Sequence, residues 1–125
     1  MAPLVAVVDD DISVRESLES LISSAGLEVG LSASAEEFLT SAHPRQADCL
    51  ILDVRLPGMS GIELHRHLMA DGCKVPVIFI TAHASDNRAR AAAASDYTVA
   101  YLTKPFDDGE FLDAVDAALK WKPSA

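Results

Sequence analysis

Five short apolar runs, separated by segments whose hydrophobic residues have helical spacing, extend along almost the whole of this chain. Each run is rich in Val, Ile and Leu and is bounded by polar or turn-forming residues, which is typical of strands buried on both faces. The predicted strands are Leu4–Val8, Leu27–Leu31, Cys49–Leu52, Val75–Ile80 and Val99–Leu102. Strands that alternate with helices form a parallel sheet covered by those helices on both faces.

A helix is predicted after each strand. Ser or Asp followed three residues later by Glu indicates a helix start, and this pattern occurs at Ser13, Ser34, Ser60 and Asp107. The remaining helix is the alanine-rich segment from Asn87 to about Ser95. The second helix is predicted to end before Pro44, because the residue before a proline disfavours helical backbone. The fold class is therefore α/β, a doubly wound five-stranded parallel sheet with five helices, in a single domain of residues 1–125.

Composition excludes several function classes. The 19 acidic side chains outnumber the 10 Lys and Arg, and a formal charge of −9 argues against binding of nucleic acid or an anionic membrane. Because 50% of the residues are hydrophobic, a disordered chain is excluded. Cys49 and Cys73 make neither a disulfide framework nor a zinc site. No signal sequence and no membrane-spanning run is visible, so a cytoplasmic protein is expected.

Residues that carry chemistry follow four of the five strands. In open parallel sheets ligands bind beyond the carboxyl ends of the strands, so these residues are expected at one edge. They are Asp9, Asp10 and Asp11 after the first strand, Asp53 after the third, Thr81 after the fourth and Lys104 after the fifth. Asp11 leads into the first helix and is expected to cap it.

The other three carboxylates, Asp9, Asp10 and Asp53, should repel one another in a shared crevice. Two unit charges about 4 Å apart repel by about 4 kcal/mol at an effective dielectric constant near 20. Lys104 relieves part of this repulsion, and Mg²⁺, a hard cation that prefers oxygen ligands, relieves more. A metal, the Thr81 hydroxyl and an ammonium group would stabilise a phosphoryl group during transfer. Asp53 is then the predicted nucleophile, which forms an acyl phosphate.

Four stretches carry a family resemblance. They are Val7-Val8-Asp9-Asp10-Asp11, Ile51-Leu52-Asp53-Val54-Arg55-Leu56-Pro57-Gly58-Met59-Ser60-Gly61, Ile80-Thr81-Ala82 and Lys104-Pro105-Phe106. In this order and spacing they resemble a response-regulator receiver domain of the CheY-like superfamily, which acts in two-component and phosphorelay signalling. The sequence from Arg55 to Gly61 is most similar to that of receivers that precede LuxR-type helix-turn-helix effectors. The resemblance implies a flavodoxin-like sheet with the strand order 2-1-3-4-5.

The resemblance also implies a phosphoacceptor and a metal site. Asp53 would accept a phosphoryl group from a histidine kinase or a histidine phosphotransfer protein. Mg²⁺, or Mn²⁺ in its place, would be bound by Asp10 directly, by Asp9 largely through water, by Asp53 and by the backbone carbonyl of Arg55. The chain would catalyse only its own phosphorylation and dephosphorylation.

A switch is the third implication of the resemblance. Thr81 and Lys104 would hold the phosphoryl oxygens, and the ring of Tyr101 would move inward as Thr81 shifts toward the phosphate. The altered surface would comprise the fourth predicted helix, the fifth strand and the fifth predicted helix, where a homodimer or a target would bind. Receivers commonly have a small Gly-Ala pair where this chain has Tyr97-Thr98, a departure next to that surface.

Two other interpretations fit part of the sequence. Asp9-Asp10-Asp11-Ile12-Ser13 is similar to the Asp-x-Asp-x-Ser motif of haloacid-dehalogenase-like phosphatases, with Asp9 as nucleophile and Asp107-Asp108 as a metal pair. That interpretation leaves Asp53 and the Pro-Gly turn after it unexplained. The second is a pseudo-receiver that is not phosphorylated and serves only as an interaction module, which the complete set of acids argues against.

Several further side chains have weaker indications. Arg55 and His83 lie two positions beyond the third- and fourth-strand site residues, where receivers tune hydrolysis of the acyl phosphate. His65 and His67 are predicted at the surface, because residues at i and i+2 of a helix cannot share a ligand. Cys49 is expected to be inert inside a buried strand.

Overall fold

The computed structural model describes residues 2–41, 43–82 and 87–121, except for the side chains of residues 87–89. Its five parallel strands are β1 (Leu4–Val8), β2 (Glu28–Ser32), β3 (Cys49–Asp53), β4 (Val77–Thr81) and β5 (Thr98–Thr103). They pair in the order β2-β1-β3-β4-β5, which confirms the predicted fold class and strand order. The winding reverses between β1 and β3, so the crevice of such a sheet lies beyond these two strands.

Six helices cover this sheet in the described part of the chain. They are α1 (Ile12–Ser24), α2 (Ala35–Thr40), α3 (His43–Gln46), α4 (Gly61–Ala70), α5 (Asn87–Ala93) and α6 (Asp108–Lys120). Five match the prediction, and the short helix α3 is additional. The second helix, α2, ends at Thr40 and so before Pro44, as predicted, and Pro44 itself lies in the first turn of the additional helix α3, where its missing N–H has no helical partner to lose. The fourth and fifth predicted helices are therefore α5 and α6.

Local hydrogen bonds explain where the helices begin. The predicted caps of α2, α4 and α6 are present at Ser34, Ser60 and Asp107. The predicted cap of α1 at Ser13 is wrong. The expected cap at Asp11 is confirmed, since its Oδ1 accepts the N–H groups of Ser13 at 2.8 Å and of Val14 at 3.4 Å. The helix therefore begins at Ile12, directly after the three consecutive aspartates.

Two apolar layers, one on each face of the sheet, hold the strands in place. β3 and β4 are buried along their whole length, as their continuous apolar sequences predict. Phe38 and Leu64 belong to the layer under α2 and α4, and Ile22 and Phe111 belong to the layer under α1 and α6. β5 is an edge strand and is only half-buried apart from Leu102. Within the described ranges, no helix combines the length and apolar character needed to cross a membrane.

The segment that precedes β5 differs from the receiver pattern. The ring of Tyr97 packs against Trp121 at the end of α6, with ring centroids 4.6 Å apart. This bulky side chain therefore joins the start of β5 to the end of α6. β4 begins two residues later than predicted, because Pro76 has no N–H to offer a neighbouring strand.

Candidate functional site

The carboxylates that follow β1 and β3 meet at the carboxyl edge of the sheet. Asp9, Asp10 and Asp53 each present one oxygen, and these oxygens lie within 4.8 Å of one another. Asp9 is fully buried and Asp53 is 6% exposed, whereas Asp10 faces solvent. Val8 pairs with Leu52 across the two neighbouring strands, so the residues that follow these strands emerge side by side. The strand order thus gathers acids that are far apart in the sequence.

The ammonium group of Lys104 joins two of these acids. Its Nζ lies 3.0 Å from Oδ2 of Asp9 and 3.2 Å from Oδ2 of Asp53. The backbone positions this lysine, because its N–H donates to the carbonyl of Thr81 at 2.7 Å. One positive charge then faces three carboxylates, which leaves an excess of two negative charges in the pocket.

The two buried carboxylates differ in how reachable they are. Oδ1 of Asp9 accepts the N–H of Asp11, and Oδ1 of Asp53 accepts the N–H of Arg55, both at 2.9 Å. The side chain of Asp9 has no exposed surface, whereas that of Asp53 keeps a small exposed fraction. A nucleophile must be reachable, so this geometry favours Asp53 over Asp9. Asp107, a metal ligand in the phosphatase interpretation, instead caps α6 by accepting the N–H of Glu110.

Burial and neighbouring charges set the protonation behaviour of the pocket. Burial, the largest influence, and the charge of Asp9 raise the pKa of Asp53 above its ordinary value, against the opposing influence of the Arg55 N–H and Lys104. Burial by itself lowers the pKa of Lys104, but hydrogen bonds and charges from Asp9 and Asp53 outweigh it, so the pKa of Lys104 is raised. The lysine stays charged, and a further cation would relieve the remaining cost of ionising Asp53.

The donor set fits a hard divalent cation. All the convergent side-chain ligands are carboxylate oxygens, and the excess of two negative charges matches the charge of one such ion. Mg²⁺ needs only one or two protein carboxylates and keeps several waters, and Mn²⁺ shares its preference for oxygen. The backbone of Arg55 lies at this pocket through its N–H bond to Asp53, while its side chain reaches the exposed surface.

The loop between β3 and α4 packs tightly behind Asp53. A Cβ atom at position 61 would overlap the carbonyl oxygen of Asp53, so Gly61 is required by close approach. Its N–H donates to the carbonyl of Val54 at 3.2 Å. Glu36 of α2 supports the same loop by accepting the N–H of Met59 at 3.1 Å. Hydrogen bonds from its own N–H and from Met59 lower the pKa of Glu36.

The two predicted switch residues lie on adjacent strands. Thr81 is the last residue of β4 and is almost fully buried. Tyr101 lies beside Phe79 in the ladder between β4 and β5 and is half-buried. The guanidinium carbon of Arg90 lies 5.1 Å from the centroid of the Tyr101 ring. His83, expected to influence hydrolysis, lies outside the described residues.

The sequence predictions miss one residue that supports this site, Arg15, and place another, His65, wrongly. Nη1 of Arg15 donates to the backbone carbonyl of Asp9 at 2.7 Å, and no periodic pattern marks such a bridge across six positions. His65 is 5% exposed, so its predicted surface position is wrong. Its spacing of three from the buried Leu68 was the available signal that it faces the core. His67 is exposed as predicted.

Comparison with known proteins agrees with the fold. Residues 5–116 match the family described as "response regulator receiver domain". Nodulation protein W of Bradyrhizobium diazoefficiens is 48% identical over 115 residues, covering 92% of this chain and 50% of that protein. Transcriptional regulatory protein FixJ of Azorhizobium caulinodans is 43% identical over 115 residues, covering 92% of this chain and 54% of that protein. The crystal structure of a response regulator receiver protein from Burkholderia phymatum is 44% identical, with a TM-score of 0.77, and covers 98% of this chain and 99% of that one.

The chain belongs to the response regulator receiver domain family. It is a receiver domain of two-component signalling, homologous to response regulators that are phosphorylated. Neither the phosphatase nor the pseudo-receiver interpretation is favoured by these findings. The chain spans about half the length of the curated relatives it matches.

Proposed function

We propose that Asp53 is the phosphoacceptor of this receiver and that it takes its phosphoryl group from the phosphohistidine of a histidine kinase or histidine phosphotransfer protein. The convergence of Asp9, Asp10 and Asp53 with Lys104 at one edge of the sheet is the observation that supports this. Lys104 contacts both Asp9 and Asp53, but the side chain of Asp9 is fully buried, whereas that of Asp53 keeps some exposed surface.

The transfer exchanges one bond to phosphorus for another. A carboxylate oxygen of Asp53 bonds to phosphorus as the P–N bond of the phosphohistidine breaks. The imidazole leaves with the electron pair of that bond and takes up a proton. Attack of water on the acyl phosphate later returns the carboxylate and inorganic phosphate. We propose that the chain catalyses only its own phosphorylation and dephosphorylation at Asp53.

Mg²⁺, or Mn²⁺, is the proposed cofactor. It would be held by Asp9, Asp10, Asp53 and the backbone carbonyl of Arg55, and when bound it supplies positive charge to the phosphoryl oxygens. Exposed Asp10 suits direct binding. Asp9 suits binding largely through water, because its side chain has no exposed surface.

The proposed switch couples the phosphoryl group to the face formed by α5, β5 and α6. Lys104 and the Thr81 hydroxyl would each hold a phosphoryl oxygen, and Thr81 would move toward the phosphate. Tyr101 would then turn inward toward the space beside Phe79, from a half-buried position that leaves it free surface to lose. The half-buried edge strand β5 offers apolar surface on which a homodimer of activated receivers could form.

The setting of this receiver is part of the same proposal. The receiver unit comprises residues 1–125 and acts in the cytoplasm, where a histidine kinase obtains its phosphoryl group from ATP. FixJ is named as a transcriptional regulatory protein, and we extend to this chain an output on transcription. Any nucleic-acid contact is assigned to another domain, because the chain carries a formal charge of −9.

Treatment with acetyl phosphate and Mg²⁺, followed by reductive trapping and peptide mass mapping, tests the proposal. The label is expected on Asp53 and should be absent from Asp53→Asn and from samples with excess EDTA. Asp113→Asn, which removes an exposed acid from α6, is the matched control and should be labelled like the parent. Label on Asp9 with turnover of p-nitrophenyl phosphate would contradict the proposal, as would the absence of both label and any response to beryllofluoride.

A further inference from the structure

A buried histidine connects α4 to the turn between α5 and β5. His65 projects from α4, and its Nε2 lies 2.9 Å from Oγ of Ser95. The imidazole and the ring of Phe79 form a T-shaped pair, with centroids 5.6 Å apart and an interplanar angle of 87°. His65 is therefore positioned by the core on one side and directed at a polar turn on the other, and none of the phosphorylation steps proposed above uses it.

The hydrogen bonds around Ser95 determine which atom carries each proton. The hydroxyl of Thr98 donates to the carbonyl of Ala93, so Oγ1 of Thr98 can only accept from Ser95, at 3.0 Å. The hydroxyl hydrogen of Ser95 is thereby used, and its oxygen accepts the N–H of Tyr97 at 3.2 Å. The remaining contact of Ser95 must come from a donor, so the Nε2 atom of His65 carries the proton.

These hydrogen bonds run from His65 through Ser95 and Thr98 to the last residue of α5, and backbone hydrogen bonds connect the same turn to the sheet. Ala93, whose carbonyl accepts the final hydrogen bond, is the terminal residue of α5. The N–H of Thr98 donates to the carbonyl of Ser95 at 3.1 Å, and the N–H of Val77 donates to the carbonyl of Tyr97 at 2.8 Å. The C-terminal end of α5, the turn, α4 and the first residue of β4 therefore form one hydrogen-bonded unit.

Nearer the middle of α5 the contact is of a different kind. Arg90 is exposed and stacks over the ring of Tyr101, a contact that depends on where that ring stands. An inward turn of Tyr101, as proposed above, would break this contact, whereas the hydrogen bonds of Ser95 do not involve the ring. The middle and the C-terminal end of α5 are thus held by contacts with different responses to the proposed switch.

We propose that His65 is a positioning residue that anchors the C-terminal end of α5 through Ser95, so that activation pivots α5 about this fixed end. The proposal rests on the phosphorylation switch proposed above and adds the point about which the switching helix moves. Burial, followed by the charge of Arg66, lowers the pKa of His65, which agrees with a neutral ring that has one proton to donate. Arg66 is also the only charged side chain lining the described pocket between α4 and α5, whose α5 side is formed by alanines.

Two substitutions at position 65 separate the hydrogen bond from the packing. His65→Gln places an amide N–H close to where Nε2 stands, whereas the shorter His65→Asn does not reach Ser95. Hydrogen exchange of residues 93–98 in the resting protein is the first measurement. Exchange should rise about fivefold in His65→Asn, the effect of one typical hydrogen bond, and stay near the parental rate in His65→Gln. Equal exchange in His65→Asn and the parent would overturn the anchor.

The second measurement compares exchange before and after addition of Mg²⁺ and beryllofluoride. In the parent and His65→Gln, the change should be confined to the part of α5 before Ala93, and in His65→Asn it should extend through residues 93–98. A parental change that already includes residues 93–98 to the same extent would overturn the pivot. If His65→Asn does not fold, His65→Leu, which keeps an apolar side chain at this buried position but has no donor for Ser95, must give the same two results.

Labelling of Asp53 by acetyl phosphate in the same samples separates this proposal from the one on which it rests. If Asp53 of the parent is labelled normally but the change in exchange on activation also includes residues 93–98, the pivot is overturned and the phosphoacceptor assignment stands. Absence of label in the parent would overturn the phosphoacceptor assignment and the pivot together, while the resting exchange would still report the anchor.

Discussion

Nζ of Lys104 lies 3.2 Å from Oδ2 of Asp53, a contact that joins the loop after β5 to the end of β3. The same ammonium contacts Asp9, which is fully buried. Lys104 therefore stabilises the resting pocket as well as offering a positive charge to an incoming phosphoryl group. Substitution of this lysine should affect both folding stability and signalling, and the two effects can be measured separately.

Lys104→Met should destabilise the metal-free protein by about 2 kcal/mol, because it leaves two buried carboxylates without their cation. Mg²⁺ should restore part of the loss by neutralising the same acids, and Lys104→Arg, which keeps the charge, should lose less. Urea unfolding in EDTA and in Mg²⁺ measures these free energies. Equal stability of Lys104→Met and the parent in EDTA would show that the ammonium is not needed at rest.

Asp10→Asn should leave the metal-free protein equally stable or more stable, by up to about 1 kcal/mol, because it removes one of three mutually repelling carboxylates. The same change should weaken Mg²⁺ binding and abolish Mg²⁺-dependent labelling of Asp53. Thermal unfolding in EDTA and a Mg²⁺ titration provide the two measurements. Clear destabilisation of Asp10→Asn in EDTA would contradict the repulsion on which the metal site is argued.

Thr81→Ala should separate phosphorylation from its consequence. The acyl phosphate should still form on Asp53, since the carboxylate and Lys104 remain, but the hydroxyl that would draw Thr81 toward the phosphate is missing. Size-exclusion chromatography and Trp121 fluorescence, with and without beryllofluoride, follow the response of the α5–β5–α6 face. Thr81→Ser keeps the hydroxyl and should respond like the parent, and a parental response in Thr81→Ala would count against the assigned switch.

Gly61→Ala tests the close packing behind Asp53. The added methyl group would overlap the Asp53 carbonyl, so we expect a loss of about 2 kcal/mol or more and slower labelling by acetyl phosphate. Gly72→Ala is the matched control, because Gly72 has a φ of 81° and nothing close to an added methyl group. That control should lose only about 1 kcal/mol from backbone strain and should label at the parental rate. Similar behaviour of the two variants would contradict the steric argument.

Cys49 should remain unreactive at alkaline pH while the protein is folded. Burial, with a smaller contribution from the charge of Asp48, raises the pKa of its thiol to about 12. Iodoacetamide at pH 9 should therefore label the partly exposed Cys73 and spare Cys49 until urea is added, as followed by peptide mass mapping. Comparable labelling of both thiols in the native protein would refute this assignment.

The same shift predicts how stability depends on pH. The unfolded thiol ionises from its ordinary value of 9.0, whereas the folded thiol holds its proton until about 12. The unfolded state thus binds fewer protons in this range, so the contribution of Cys49 to stability falls as pH rises from about 9. The difference in unfolding free energy between the parent and Cys49→Ala should shrink from pH 8 to pH 10.

Much of the architecture could be predicted because its signals are local. Continuous apolar runs mark β3 and β4, and the Ser60–Glu63 pattern marks the start of α4. Predictions failed where two local signals competed. Asp11 and Ser13 are both predicted caps of α1, and the path of the chain after β1 confirms Asp11 and excludes Ser13. The short helix α3 is missed because Pro44, which does follow the end of α2 as predicted, also suits the first turn of a new helix.

The residues at the strand ends could be identified from local patterns, because the period of a strand and the turn after it are encoded within a few neighbouring positions. The contacts among these residues became visible in the folded chain. Lys104 joins Asp9 to Asp53, Arg15 supports the backbone of Asp9, and His65 reaches Ser95. Each of these contacts depends on strand order and loop path, which bring together positions that no local period relates.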